Sequence, residues 1–144
     1  DHPDVYAYNI AVQSAQQIDE SNILSATMEC FRESIDGLVD QLEIDTAQAY
    51  SIVDGKKSPK LNSDVPCRPF VKADAEVYTV ALASILAKVR HDDLMMHYHQ
   101  LYPDYQFDQN LGYQKPDHVE LLHKHGPSPI HRMSFKALKG MSMT

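Results

Sequence analysis

An α/β fold is what this chain predicts, on three observations. Segments with strand-like and helix-like patterning alternate along it in the order strand, helix, strand, helix. Its 144 residues suit a single sizeable core, so residues 1–144 are expected to form one domain. The composition is that of an ordinary globular chain, 43% hydrophobic and 23% charged with five Gly and eight Pro, which excludes collagen-like and low-complexity classes.

The elements follow in order. Val5 to Val12 places Tyr, Ile and Val between polar residues and reads as a strand. Asp19, Ser21 and Asn22 are candidate caps for a helix carrying Ile23, Ala26, Cys30, Phe31, Ile35 and Leu38 near helical spacing. Gly37 weakens that helix near its end. Gln48 to Val53 reads as a second strand, ended by Asp54-Gly55. A loop from Lys56 to Pro69 holds three prolines and four bases, and Phe70-Val71 is a candidate short strand. From Ala75 to about Tyr98 runs the clearest helix, with Asp74 placed to cap it and Tyr78, Leu82, Ile85, Val89 and Met96 on one stripe. Pro103 marks a stop beyond it. Asp117 to His125 is a short helix closed by Gly126-Pro127, and residues 126–144 form a loop tail with one helical turn.

Two carboxylates occupy unusual places. Asp54 follows an apolar strand, and in open α/β sheets chemistry gathers beyond the carboxyl ends of strands. The following Gly55 lets a ligand approach the backbone closely, although Asp-Gly is also a common turn pair. Asp92 continues the count 78, 82, 85, 89 and so is expected to face inward, where a carboxylate needs a cation, a metal or a hydrogen-bonding partner. Two inward acids on neighbouring elements suit a hard divalent cation such as Mg²⁺ or Mn²⁺.

The net charge of −7 argues at first against a nucleic-acid partner. Its distribution changes that reading, because residues 1–46 carry ten acids and one base, Arg32, whereas residues 47–144 carry ten acids and twelve bases. A local positive field holds a phosphate backbone even on an acidic molecule. No apolar run approaches the ~20 residues that span a bilayer, so no membrane partner is expected. Two cysteines, Cys30 and Cys67, make no disulfide framework and suit a reducing, cytoplasmic compartment.

Several segments resemble the ribonuclease HII family, the type 2 ribonucleases H. Ile18-Asp19-Glu20-Ser21-Asn22-Ile23-Leu24-Ser25-Ala26-Thr27-Met28 is similar to the opening of an early helix of that family. Val53-Asp54-Gly55 with Pro59-Lys60-Leu61 resembles its strand-end acid and following loop, and Ala83 to Val89 with Asp92 and Leu94-Met95 resembles its central helix. Tyr102-Pro103, Gly112-Tyr113 and His118 resemble its substrate-contacting turn, and Gly126 to Arg132 with Ser134-Phe135 its C-terminal signature. Five motifs in family order, from about residue 18 to 135, are a specific match.

The resemblance implies a ribonuclease H-like fold with a mixed sheet flanked by helices. It implies hydrolysis of the RNA strand of RNA–DNA hybrids, including single ribonucleotides embedded in DNA, with Mn²⁺ or Mg²⁺ as cofactor. Asp54 and Asp92 fall on two of the family's four metal-binding acids, and Tyr113 on the tyrosine that stacks on the sugar at the RNA–DNA junction. The chain departs from the pattern at its start, where the family's adjacent Asp and Glu and its Gly-Arg-Gly loop are not found. Asp19-Glu20 precedes a helix without glycines and is no substitute. The expectation is an N-terminally incomplete domain, the alternatives being a second chain that supplies the first strand or a relative that holds hybrids without cutting them. His91, Leu111, Gln114-Lys115 and Met133 also differ from the residues usual in the family. A zinc site is a weaker reading, since His97 and His99, like His123 and His125, sit two apart and point to opposite sides of a helix. A generic α/β domain without this activity is what periodicity alone would leave open.

Overall fold

The structure is a computed structural model and describes residues 7–135 and Leu138. The chain forms two compact units, one comprising Asp1–Gln13 and Asn22–Ile85, the other Ser14–Ser21 and Leu86–Thr144. Strands and helices are both present, in agreement with the α/β expectation.

In the first unit, helix α2 (Ile23–Leu42) begins at Asn22, whose side-chain oxygen accepts the Ser25 amide at 2.9 Å. Of the three candidate caps, Asn22 therefore fills the role, satisfying an amide that the first helical turn leaves without an intrahelical partner. Gly37 does not end the helix. Its missing Cβ leaves room for the Asn9 side chain against the helix backbone. Glu43, in the left-handed region at φ 48°, closes the helix through its amide to the carbonyls of Val39 and Asp40.

Strand β1 (Ser51–Asp54) pairs in parallel with β2 (Cys67–Phe70), in the register Ser51 to Cys67 and Asp54 to Phe70. Cys67, Arg68 and Pro69, expected in the loop, belong to β2, while Val71 lies outside it. Val53 is buried, as are Ala26, Val65 and Ala73 of the same unit. The connection from 55 to 66 is anchored from α2. The buried carboxylate of Asp36 accepts the amides of Asn62 and Ser63 at 3.0 and 3.1 Å and the Ser63 hydroxyl at 2.6 Å, with Arg32 3.7 Å away.

Three sequence expectations need correction. Residues 7–12 form no strand, and Val5 and Tyr6 lie outside the described residues. Alternation alone makes no strand, because a ladder needs a partner for each amide and carbonyl, and among the described residues none pairs with this segment. The helix expected from Ala75 is broken in two, α3 (Ala73–Glu76) and α4 (Tyr78–Leu101), by extended backbone at Val77 with φ −116° and ψ 113°. Asp74 is not the cap, since the first amide of α3 bonds instead to Asp54 of β1.

The third correction concerns the apolar stripe of α4. Tyr78, Leu82, Ile85, Val89 and Met96 are exposed, from 44% at Leu82 to 77% at Tyr78, so Asp92 does not continue an inward face. In the second unit the helix packs through Met95 and Tyr98, with Tyr102 just beyond its end, onto a core of Tyr105, Phe107, Leu122 and Leu138. Apolar residues occupy more than one side of α4, so the period identifies a helix without choosing its buried face.

The second unit also holds α1 (Ala15–Glu20), opened by a reciprocal cap in which Ser14 and Gln17 each bond the other's amide. Its Asp19 reaches the C-terminal segment, accepting the amides of Met133 at 2.7 Å and Ser134 at 3.0 Å and the Ser134 hydroxyl at 2.5 Å. Beyond α4 come a 3-10 turn (Pro103–Tyr105), α5 (Phe107–Asn110) and α6 (Pro116–His125). Pro116 opens α6, where its missing amide costs nothing, and Gly126 closes it at φ 76°.

Candidate functional site

The turn between α5 and α6 presents Tyr113 and is organised by Asn110, which is completely buried. The Asn110 side-chain amide donates to the Tyr105 carbonyl at 2.6 Å, its oxygen accepts the Gly112 amide at 2.8 Å, and its carbonyl accepts the Tyr113 amide at 3.0 Å. Leu111 and Gly112 both take left-handed backbone, at φ 51° and 73°. At Gly112 an added Cβ would lie 2.9 Å from the Met95 sulfur. Gly112→Ala is therefore expected to lower unfolding stability by roughly 1–2 kcal/mol in urea titrations, from left-handed strain and the Met95 clash together.

The Tyr113 ring is half exposed and lies against α4. The Lys88 ammonium sits 5.7 Å from its centroid, a cation–π distance, and the His91 ring 5.7 Å away at a tilt of 41°. Lys88 also engages both carboxylate oxygens of Asp92 one turn along the helix, and His91 Nδ1 lies 3.2 Å from Asp92 Oδ1. The Lys88 hydrogen bonds first, and His91 second, hold the Asp92 carboxyl below its ordinary range. The side chain is 34% exposed, so this is an ionised carboxylate at a surface and not a buried one.

Asp54 stands in the first unit as the last residue of β1. One of its oxygens accepts the Ala73 amide at 2.9 Å, which orients the carboxylate, while its residue as a whole is exposed. Gly55 beyond it takes φ 120°, and nothing lies within 4 Å of where its Cβ would be, so the backbone there is open to approach. Asp54 thus stands at a strand end as expected, but it is exposed where an inward acid was expected, and it also bonds the start of α3. A groove of about 360 Å³ in the same unit is lined by Ser25, Arg32, Lys57, Ser58 and Lys60, among others.

The structure brings Tyr113 and Asp92 together through Lys88 and His91. Sequence reasoning passed over those two as site residues and over Asn110 entirely. Lys88 had a legible signal in its i, i+4 spacing to Asp92, whereas Asn110 had none beyond its place before Leu-Gly. Among the described residues no group of three or more His, Cys, Asp or Glu converges as a metal cluster. As donors, Asp54 and Asp92 are oxygen ligands of the type that Mg²⁺ and Mn²⁺ prefer, though two carboxylates are fewer than a full coordination shell.

The chain is thus an α/β protein with an exposed acid at a strand end in one unit and, in the other, a partly exposed acid on a helix beside a cation and an aromatic ring. Comparison with known proteins makes this specific. The chain matches the family described as Ribonuclease HII over residues 1–138. It is similar to Ribonuclease HII of Chlamydia pneumoniae, 42% identical over 134 residues that cover 93% of this chain and 58% of that protein. It is 41% identical to that of Caldanaerobacter subterraneus over 138 residues, covering 93% and 53%. With that of Bordetella pertussis the identity is 42% over 133 residues, covering 92% and 62%. The chain belongs to the ribonuclease HII family, and it spans between 53% and 62% of the length of these relatives.

Proposed function

We propose that this protein is an endonuclease acting on RNA–DNA hybrids, hydrolysing the RNA strand and cutting at single ribonucleotides embedded in DNA. The observation that carries the reading is the half-exposed Tyr113 ring packed beside Lys88, His91 and Asp92, in a chain of this family. An aromatic face takes a sugar or base by stacking, and the 2′-hydroxyl is what tells RNA from DNA.

Each residue has a role in this reading. Asp54 and Asp92 supply carboxylate oxygens to divalent cations, Mn²⁺ or Mg²⁺. A bound cation supplies the positive charge that stabilises the attacking and leaving oxygens of a phosphodiester. Lys88 and His91 keep Asp92 ionised. Tyr113 stacks on the sugar at the junction. Lys56, Lys57 and Lys60, all exposed on the loop that Asp36 anchors, contact phosphates and position the duplex without reading its sequence. No helix of the described residues is long and apolar enough to cross a membrane. Both cysteines are free thiols, which suits the cytoplasmic location included in the proposal.

The test is direct. With Mn²⁺, a duplex carrying one embedded ribonucleotide is expected to be nicked into products with 3′-hydroxyl and 5′-phosphate ends, while an all-DNA duplex of the same sequence stays intact. Tight binding of the ribonucleotide duplex with no nicking would replace the nuclease reading by hybrid binding alone.

A further inference from the structure

Behind Tyr113 lies a chain of hydrogen bonds in which the place of each proton is determined. It starts at Ser128, in the loop that follows α6. The Ser128 amide donates to His131 Nδ1 at 3.0 Å, and the Ser128 hydroxyl lies 2.7 Å from the same nitrogen. A backbone N–H can only donate, so His131 Nδ1 is an acceptor and the proton of the neutral ring sits on Nε2. His131 Nε2 lies 3.2 Å from His118 Nε2. On its far side, His118 Nδ1 lies 2.9 Å from the Tyr113 carbonyl, which can only accept. His118 therefore carries its proton on Nδ1 and accepts from His131 through Nε2. Fixed backbone groups at both ends leave one consistent arrangement, running from Ser128 through His131 and His118 to Tyr113.

The surroundings favour the neutral form of His131. His118 and Ser128 are buried. The Tyr105 ring lies 4.9 Å from the His131 ring at a tilt of 53°, and Phe107 meets the His118 ring edge-on at 5.6 Å. His91 and Arg132 line the adjoining cavity of about 140 Å³ with the two histidines. Burial first, and His118 second, push His131 down to about 4. A second proton on either ring would set N–H against N–H and break the relay.

We propose that His131 and His118 are positioning residues for Tyr113. Their relay ties the Tyr113 carbonyl to the loop at 126–131 and so sets how the ring is presented to the sugar at an RNA–DNA junction. The amide of Tyr113 is already held by Asn110 on one side, and the relay supplies the hold on its carbonyl. The functional half of this proposal rests on the proposed role of Tyr113, whereas the geometric half does not.

Imidazole ¹⁵N NMR of the full chain, without nucleic acid or metal, tests the geometry. The expected result at pH 7 is His118 protonated at Nδ1 and His131 at Nε2. The Tyr113 amide signal should shift with the protonation of His131 near pH 4. Rapidly exchanging tautomers at both rings, or a Tyr113 signal that ignores that titration, would overturn the relay. Two variants then test its use. His131→Phe keeps a ring but removes both bonds, and His131→Gln offers an amide that can accept from Ser128 and donate to His118. Preference for binding a single-ribonucleotide duplex over an all-DNA duplex is expected to fall about tenfold in the Phe variant and to be largely restored in the Gln variant, a factor set by about one hydrogen bond to a neutral group. Equal losses in both variants would overturn the positioning role. Should His131→Phe fail to fold, the wild-type titration still decides the geometry. Tyr113→Ala is the control, for if it leaves the preference unchanged, the stacking role fails while the NMR result stands on its own terms.

Discussion

Asp92→Asn is expected to slow Mn²⁺-supported cleavage of a single-ribonucleotide duplex by about 10²- to 10⁴-fold, the range for losing a carboxylate that holds a catalytic cation. Asparagine keeps the shape and removes the charge. It also releases Lys88 and His91, which both bond Asp92 in the wild-type protein. That ion pair lies at the surface, where screening by water leaves little contribution to stability, so thermal unfolding is expected to change hardly at all. The separation is the diagnostic, a large loss of rate with a preserved fold. A rate within threefold of wild type would remove Asp92 from the machinery. Because the carboxyl is held below its ordinary range, it stays ionised as pH falls to the usual carboxylate value. Acid loss of activity near pH 5 would therefore have to come from another group.

The second large effect is on stability. Asp36→Ala is expected to lower the unfolding free energy by roughly 2–4 kcal/mol, since a buried charged acceptor of three hydrogen bonds is lost and the Asn62 and Ser63 amides are left with no partner there. Asp36→Asn, which keeps one oxygen acceptor, should lose about half as much. Burial pushes the Asp36 carboxyl up, but the Ser63 hydroxyl, the two amides and Arg32 together outweigh it and leave the group below its ordinary value. A depressed folded-state pKa stabilises the protein above the unfolded value of about 3.9, and the benefit disappears as pH falls through the folded value. The difference between wild type and Asp36→Ala in urea unfolding should accordingly be full at pH 7 and shrink below pH 4. A difference under about 0.5 kcal/mol at pH 7 would show that the anchor contributes nothing. The same variant should loosen the loop bearing Lys56, Lys57 and Lys60, visible as faster amide exchange at Asn62 and Ser63.

Much of the fold was legible because it is local. Asn22 before an apolar helical period, Gly126 at the end of α6, and Asp54-Gly55 after an apolar strand each carry their signal within a few residues. The family motifs were legible for the same reason. Where reasoning from residues went astray, a distant partner decided the outcome. The segment at 7–12 has strand-like alternation but no ladder among the described residues. Val77 breaks a continuous helical period with extended backbone, and Asp54, from β1, bonds the start of the short α3 before it. α4 is apolar on several sides, so the face it packs in the second unit was set by where the Tyr105–Phe107 core lies.

The amino-acid order alone was enough for the class of fold, the Asn22 cap and the Gly126 helix end, the family and the choice of Asp54, Asp92 and Tyr113 as candidates. Folding in three dimensions chose which side of α4 packs against the core, joined Asp19 to Met133 and Ser134 across more than a hundred residues, and aligned Ser128, His131 and His118 behind Tyr113. The division has a physical origin. Periodicity and capping arise from bonds between residues three or four apart, so one stretch of chain suffices to read them. A carboxylate clasp or an imidazole relay depends on directions and distances between groups that only packing brings within 3 Å or so.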